Sequence, residues 1–330
     1  MRSVLKYKIK KLIPSFFWGM MSRAIESKRT EQFKETKICF GPRNPGIKIL
    51  IIRRRPPAAG LFSNVYHVLQ GIIYASEKKM IPVVDMENYS TEYSVFRKFN
   101  GTNNAWQYFF EPISEIDLGE AYKSKDVTLS KGNRILWKEN FGGRTLDFAN
   151  NKESVRSLKF IYNKHIKLNS MMKEYLGYIA KEYEIENEGT LGIFLRGTTY
   201  ITHPETGHAK QPRINDVIRD VDDYLNTNAI SRIFLSTDDS KFRAIFNDRY
   251  HGIIYPDIRI DKSNSFSART RKIFKIPNFI LARNISYLSE VYLLSRFDFN
   301  IASLSNGSAI LQLINEKNFI KNIIYNLGYH

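Results

Sequence analysis

Short apolar runs alternate with amphipathic stretches along most of this chain. Residues 49–52 (Ile-Leu-Ile-Ile) are an unbroken apolar run between Lys48 and Arg53, the pattern of a buried strand. Pro56 and Pro57 end it. From Phe62 onward, Val65, Val68, Leu69, Ile72, Ile73 and Ala75 recur at spacings of three and four, which predicts a helix. A second strand is expected at 81–85. Residues 86–150, rich in Asn, Tyr, Phe and Gly, have weak periodicity and read as loops and short helices, one of them at 105–110. Residues 154–182 read as helix, broken near Leu168-Asn169. The rest alternates more cleanly. Strands are expected at 191–195, 230–235, 252–255 and 299–302, and helices at 214–225, 240–247 (with Ser240 as cap), 285–295 and 305–314. Residues 257–277, basic and Ser-rich, read as a loop. Repeated strand-helix units with short connections predict an α/β protein with a parallel sheet.

Composition narrows the class. The chain has 330 residues, 43% of them hydrophobic and 25% charged, a globular balance with room for two domains. The one cysteine, Cys39, rules out an intrachain disulfide and a cysteine-rich zinc site, and fits a reducing, cytoplasmic compartment. The net charge of +17 is uneven, because residues 1–30 hold eight Lys and Arg against Glu26 alone. The apolar run at 13–21 is too short to span a bilayer, and no small-residue cleavage site follows it. Basic residues interleaved with Phe16, Phe17 and Trp18 fit peripheral contact with an anionic inner membrane face. A helix packed on its own domain explains the same pattern.

Chemistry concentrates at four strand-to-helix turns, where backbone N–H groups and helix N-termini favour anions. The first is Gly60-Leu61-Phe62-Ser63-Asn64. The second follows the 191–195 strand and reads Arg196-Gly197-Thr198-Thr199, with His203, Glu205 and His208 just beyond. The third is Ser236-Thr237-Asp238-Asp239, and the fourth is Ser303-Leu304-Ser305-Asn306. An arginine at the carboxyl end of a strand is a fork of donors suited to phosphate, and it is equally a common partner in a structural salt bridge. Glycine turns and Asp or Ser caps likewise explain the other three when each is taken alone.

Their order is more specific. The arginine loop, the Ser-Thr-Asp-Asp turn, and the segment Tyr292-Leu293-Leu294-Ser295-Arg296-Phe297-Asp298-Phe299 ahead of Ser303 and Ser305 together resemble the fucosyltransferase superfamily of GT-B glycosyltransferases. That group includes the α1,6-fucosyltransferases, the nodulation-factor fucosyltransferases and the protein O-fucosyltransferases. The resemblance covers residues 190–315, and more loosely 48–86. It implies two Rossmann-like domains facing a central cleft, here 41–165 and 166–330 behind a basic segment 1–40. It implies inverting, metal-independent transfer from a GDP-sugar to a glycan acceptor. By position Arg196 would hold the β-phosphate. Asp238 and Asp239 would lie by the guanosine, Glu290 would bind the nucleotide, and Ser303, Ser305 and Asn306 would face the phosphates. Thr198 would add a donor contact, and Gly60 and Asn64 would serve the N-terminal domain's side of the cleft.

This chain departs from the family pattern in three places. The motif histidine is Phe194, the second arginine of the α1,6 branch is Gly197, and the motif aspartate is Thr199. The usual catalytic acid is therefore missing, and Glu205 is the first candidate for the base, with His208 and His203 next. Asp238-Asp239 lacks the Asp-x-Asp spacing of metal-dependent transferases, and Asp85-Met86-Glu87 only imitates it, so no metal or cofactor is expected. The expected protein is a cytoplasmic, membrane-associated enzyme of bacterial surface polysaccharide or lipopolysaccharide synthesis. A relative that is catalytically altered or uses another nucleotide sugar remains a second reading. The basic charge also suggests a nucleic-acid binder, but its excess is concentrated at the N-terminus and no nucleic-acid module is present.

Overall fold

The computed structural model describes residues 34–55, 60–132, 146–197, 200–201, 207–259 and 265–330. Among these, two four-stranded sheets organise the chain. β1 (Thr36–Ile38), β2 (Arg43–Arg53), β3 (Ile81–Asp85) and β4 (Ser124–Leu129) form the first, in the order β1-β4-β2-β3. Its strands are parallel except β1, which runs against β4. β5 (Thr190–Leu195), β6 (Arg232–Thr237), β7 (Phe299–Ser303) and β8 (Lys321–Tyr325) form the second, ordered β6-β5-β7-β8 and parallel throughout. α1 (Leu61–Glu77) joins β2 to β3, and α2 (Leu118–Ala121) precedes β4. α3 (Lys152–His165) and α4 (Ser170–Glu182) lead into β5, and α5 (Ile214–Thr227) joins β5 to β6. α6 (Ser240–Arg249), α7 (Ser265–Ile273) and α8 (Phe279–Leu294) occupy the crossover to β7, and α9 (Asn306–Ile314) returns to β8.

The period of two in each strand divides its side chains between two layers. In β5, Leu191, Ile193 and Leu195 pack with Val217, Val221 and Tyr224 of α5, while Phe194 joins the opposite face. Gly192 lets α8 approach that second face, since a Cβ there would lie 2.7 Å from Leu294 Cδ2. In β2, Leu50 and Ile52 face α1, and Ile49 and Ile51 face Ile116 and Ala121. The layer around α1, α3, α8 and α9 belongs to one apolar cluster that draws on both sheets. α9 packs on α3 and α1, and the buried hydroxyls of Tyr162 and Tyr292 meet at 2.9 Å.

Helix starts follow local chemistry. Asn151, Asn169 and Asn278 cap α3, α4 and α8 with their side-chain oxygens. α6 is capped by Asp239, whose Oδ1 accepts from the N–H groups of Lys241 and Phe242, not by Ser240 as the pattern suggests. Three strands that the sequence does not announce are present. β4 opens with Lys125 and Asp126 ahead of buried Val127 and Leu129, and β1 and β8 lie at sheet edges with exposed positions. The loop expected at 257–277 contains α7, followed by Phe274, which is buried edge-on against Tyr175 and Tyr178 of α4. The strand expected at 252–255 is a turn with a single bridge, Ile254 to Ile233. No helix among the described residues is long and apolar enough to cross a membrane. Most of the basic 1–40 segment lies outside the described residues.

One buried histidine gives the fold a pH dependence. His67 of α1 donates from Nε2 to the Arg53 carbonyl at 3.0 Å. Burial, reinforced by the nearby Arg54 charge, lowers its pKa to about 4. The folded state therefore resists a proton that the unfolded chain takes up near pH 6.5. Stability from this group is complete above pH 6.5 and declines by about 3 kcal/mol as pH falls toward 4. Urea denaturation at pH 7 and pH 4.5 should show the loss in the wild type and a smaller one in His67→Gln. Equal losses in both would place the acid sensitivity elsewhere.

Candidate functional site

The chain leaves β5 toward β6 on one side and leaves β7 toward β8 on the other. β5 and β7 are neighbours, so their carboxyl ends flank a switch point, where open α/β sheets place ligands. Arg196 follows β5 and Ser303 ends β7. The Arg196 backbone N–H donates to Ser303 Oγ at 2.9 Å, tying the two strand ends together. Asp238 comes from the end of β6, whose Thr237 pairs with Leu195. One carboxylate oxygen accepts from the Gly197 N–H at 2.6 Å, and the other lies 3.3 Å from Arg196 Nη1. Asp238 thus holds the arginine loop by backbone and side chain together.

The salt bridge anticipated for a strand-end arginine is present, and it does not exhaust the guanidinium. The Arg196 side chain keeps 24% exposure, with its Cζ 5.1 Å from the Tyr200 ring and 5.7 Å from that of Tyr287. Burial pulls its pKa down, but Tyr287, Asp238 and Tyr200 outweigh that and the net shift is upward, so the cation is secure. His208 stacks on Tyr200 with ring centroids 4.4 Å apart. Tyr287 is pushed up to about 12 by burial, against the Arg196 charge. Its ring stacks on Phe194 at 6.0 Å and meets Phe62, from the first turn of α1, edge-on at 4.9 Å.

Phe194 and Gly197 are both fixed by their surroundings. Phe194 is 1% exposed and lies with Tyr287 under the start of α9. A Cβ on Gly307 would come within 2.5 Å of Tyr287 Oη and 2.8 Å of Phe194 Cζ. Gly197 is equally constrained, because a Cβ there would fall 2.2 Å from Asp239 Cβ. The two aspartates divide their work, Asp238 gripping the arginine loop and Asp239 capping α6.

The remaining candidates fall into place around this edge. Ser303 is fully buried against the Arg196 N–H, and Ser305 caps α9 in a reciprocal box with Ser308. Half-buried Asn306 begins α9, whose N-terminus lies at the carboxyl end of β7. Glu290 is 2% exposed, and both its oxygens are engaged internally. It accepts from the Ser236 hydroxyl and from Arg259 Nε at 2.9 Å and Nη2 at 3.4 Å. Burial opposes the Arg259 charge, but Glu290 and Asp257 more than compensate and raise its pKa. Glu290 reaches the site through the Arg259 and Ser236 it holds.

Gly60 is the exposed N-cap of α1, with no side-chain cap. Asn64 is buried, donating to Tyr93 Oη at 3.0 Å and accepting from Arg54 Nη1 at 2.9 Å. The Phe62 contact with Tyr287 joins this turn to the arginine edge. Thr198 and Glu205, with Thr199 and His203, lie outside the described residues. The aromatics at 105–110 are core: Trp106 stacks on Phe110 at 4.4 Å, and both are almost fully buried. Tyr287 and Arg259 were not singled out from the sequence. The spacing of Tyr287 and Glu290 on one helix, three residues apart, was the available signal for the first. Among the described residues no group of His, Cys, Asp and Glu is placed to hold a metal ion.

No family model and no curated protein sequence matches the chain. Solved structures of fucosyltransferases do resemble it in shape. The NodZ fucosyltransferase from Bradyrhizobium aligns over 85% of this chain and 95% of its own, at 14% identity and a TM-score of 0.48. NodZ α1,6-fucosyltransferase soaked with GDP-fucose aligns over 81% and 92%, at 13% identity and 0.46. POFUT1 in complex with GDP-fucose aligns over 86% and 99%, at 10% identity and 0.48. Likenesses of this size leave the functional reading to the chain's own residues.

Proposed function

We propose that this protein is a glycosyltransferase of the GT-B kind that moves fucose or a related hexose from a GDP-sugar to a glycan acceptor. The observation that carries the reading is Arg196. It is a charged guanidinium, partly open, fixed by Asp238 and Ser303 at the switch point of a parallel sheet. When a glycosyl bond to a nucleoside diphosphate breaks, negative charge accumulates on the β-phosphate. A preset arginine and the N-terminus of α9 stabilise that charge without a metal. Attack by an acceptor hydroxyl from the opposite face gives inversion and requires a base, for which Glu205 and His208 are the candidates. The N-terminal half, with Gly60 and Asn64, supplies the acceptor side. The acceptor belongs to bacterial surface polysaccharide or lipopolysaccharide synthesis, and the enzyme works in the cytoplasm at the membrane.

Thermal unfolding with a panel of nucleotides tests the donor. A ligand at 100 times its Kd adds about 2.7 kcal/mol to the native state, a rise of a few degrees in Tm for a chain of this size. GDP and GDP-sugars should give that rise without added metal. A rise with UDP and none with GDP would overturn the guanine assignment.

A further inference from the structure

Aromatic residues recur every three positions in the loop after β3, and they alternate between core and solvent. Tyr93 is 1% exposed and Phe99 5%, while Phe96 between them is 102% exposed, the most exposed large apolar side chain among the described residues. The loop is braced rather than loose. Tyr93 packs edge-on against Phe109 and accepts a hydrogen bond from Asn64. Phe99 packs edge-on against Tyr108 and pairs with Thr102 through two backbone hydrogen bonds. The Thr91 N–H donates to Ser94 Oγ at 2.9 Å. A phenyl ring is thus held in water on a tip fixed at both ends, where turning inward would bury it.

Arg97 and Lys98 follow directly, both exposed, and neither is ion-paired among the described residues. An aromatic ring with adjacent cations suits the boundary of an anionic bilayer, the ring entering the acyl edge and the cations meeting lipid phosphates. The net charge of +17 favours the same partner. The tip is also rooted at the candidate acceptor turn. Tyr93 bonds Asn64, and Glu92 Oε1 lies 3.8 Å from the position a Cβ would take on Gly60.

We infer that residues 96–98 are a membrane-docking tip that inserts Phe96 into the interface of an anionic bilayer and brings the Gly60–Asn64 turn to the lipid surface. This contact is separate from any made by residues 1–33, and it stands whether or not the donor is a GDP-sugar.

The experiment uses the full chain and vesicles of phosphatidylcholine with or without a quarter phosphatidylglycerol. In flotation, the wild type binds the anionic vesicles. Phe96→Ser and the pair Arg97→Glu/Lys98→Glu each weaken binding by about tenfold. These side chains are exposed, so unchanged circular dichroism is expected for both variants. A second measurement locates the contact. In Cys39→Ser/Phe96→Cys, an environment-sensitive fluorophore at 96 shifts to the blue with anionic vesicles and not with neutral ones. The inference fails if the wild type does not float, if Phe96→Ser binds as tightly, or if the label stays in a water-like environment on protein that floats.

Discussion

Arg196→Ala is expected to lower kcat/KM for sugar transfer by about 10²–10³ while leaving the protein folded, the loss typical when a preset donor to a developing anion is removed. The expectation rests on how Arg196 is held. Its bridge to Asp238 is partly open to solvent, where such pairs contribute about 1 kcal/mol or less. Asp238 also keeps its hydrogen bond from the Gly197 N–H, so the loop retains an anchor. Stability and catalysis therefore separate at this residue. Arg196→Lys sharpens the test, since lysine keeps the charge and loses the planar fork. It should recover only part of the turnover. Steady-state kinetics with a GDP-sugar donor, with a melting curve for each variant, reads both quantities. Turnover of Arg196→Ala within threefold of wild type would remove this residue from the chemistry.

Glu290→Ala is expected to act in the opposite way, through the fold. Its carboxylate is buried and paired with Arg259, so truncation leaves that guanidinium only the partly exposed Asp257, 4.0 Å away, and leaves the Ser236 hydroxyl without its acceptor. Breaking a buried pair from one side costs about 3–5 kcal/mol. Arg259 keeps a quarter of its side chain exposed, which favours the lower figure. Replacing both partners, with Glu290→Leu and Arg259→Met, should restore much of the loss, because the desolvated charge is then gone. Urea denaturation of the two single variants and the double measures this directly. If Glu290→Ala cost under 1 kcal/mol, the pair would not be supporting the end of β6.

Much of this was legible in the sequence because buried parallel strands are unbroken apolar runs. β2 and β5 announce themselves that way, β7 does so around a buried Asn300, and α1 by its three-and-four spacing. β4 was hidden because Val127 and Leu129 are its only apolar positions, behind Ser124, Lys125 and Asp126, and α7 because a basic, Ser-rich helix carries no apolar stripe. The site divides similarly. Arg196, Asp238 and Ser303 could be named from their places after strands, since position at a sheet edge follows from order along the chain. Their partners could not. That Glu290 faces Arg259, that Asp238 grips the Arg196 loop, and that Asn64 is buried against Tyr93 depend on contacts between distant segments. Such contacts leave no periodic trace.

The close approach of Gly197 to Asp239 bears on how this lineage can change. A single Gly197→Arg substitution would place a second arginine beside Arg196, but its Cβ would collide with Asp239. Making room takes Asp239→Gly, since the colliding atom is the Asp239 Cβ that alanine would keep, and it removes the side-chain cap of α6 at a cost of a few tenths of a kcal/mol. The cost of Gly197→Arg is therefore expected to be smaller in the Asp239→Gly background than alone. The one-arginine loop is thus held by packing, and a second arginine there needs two changes rather than one.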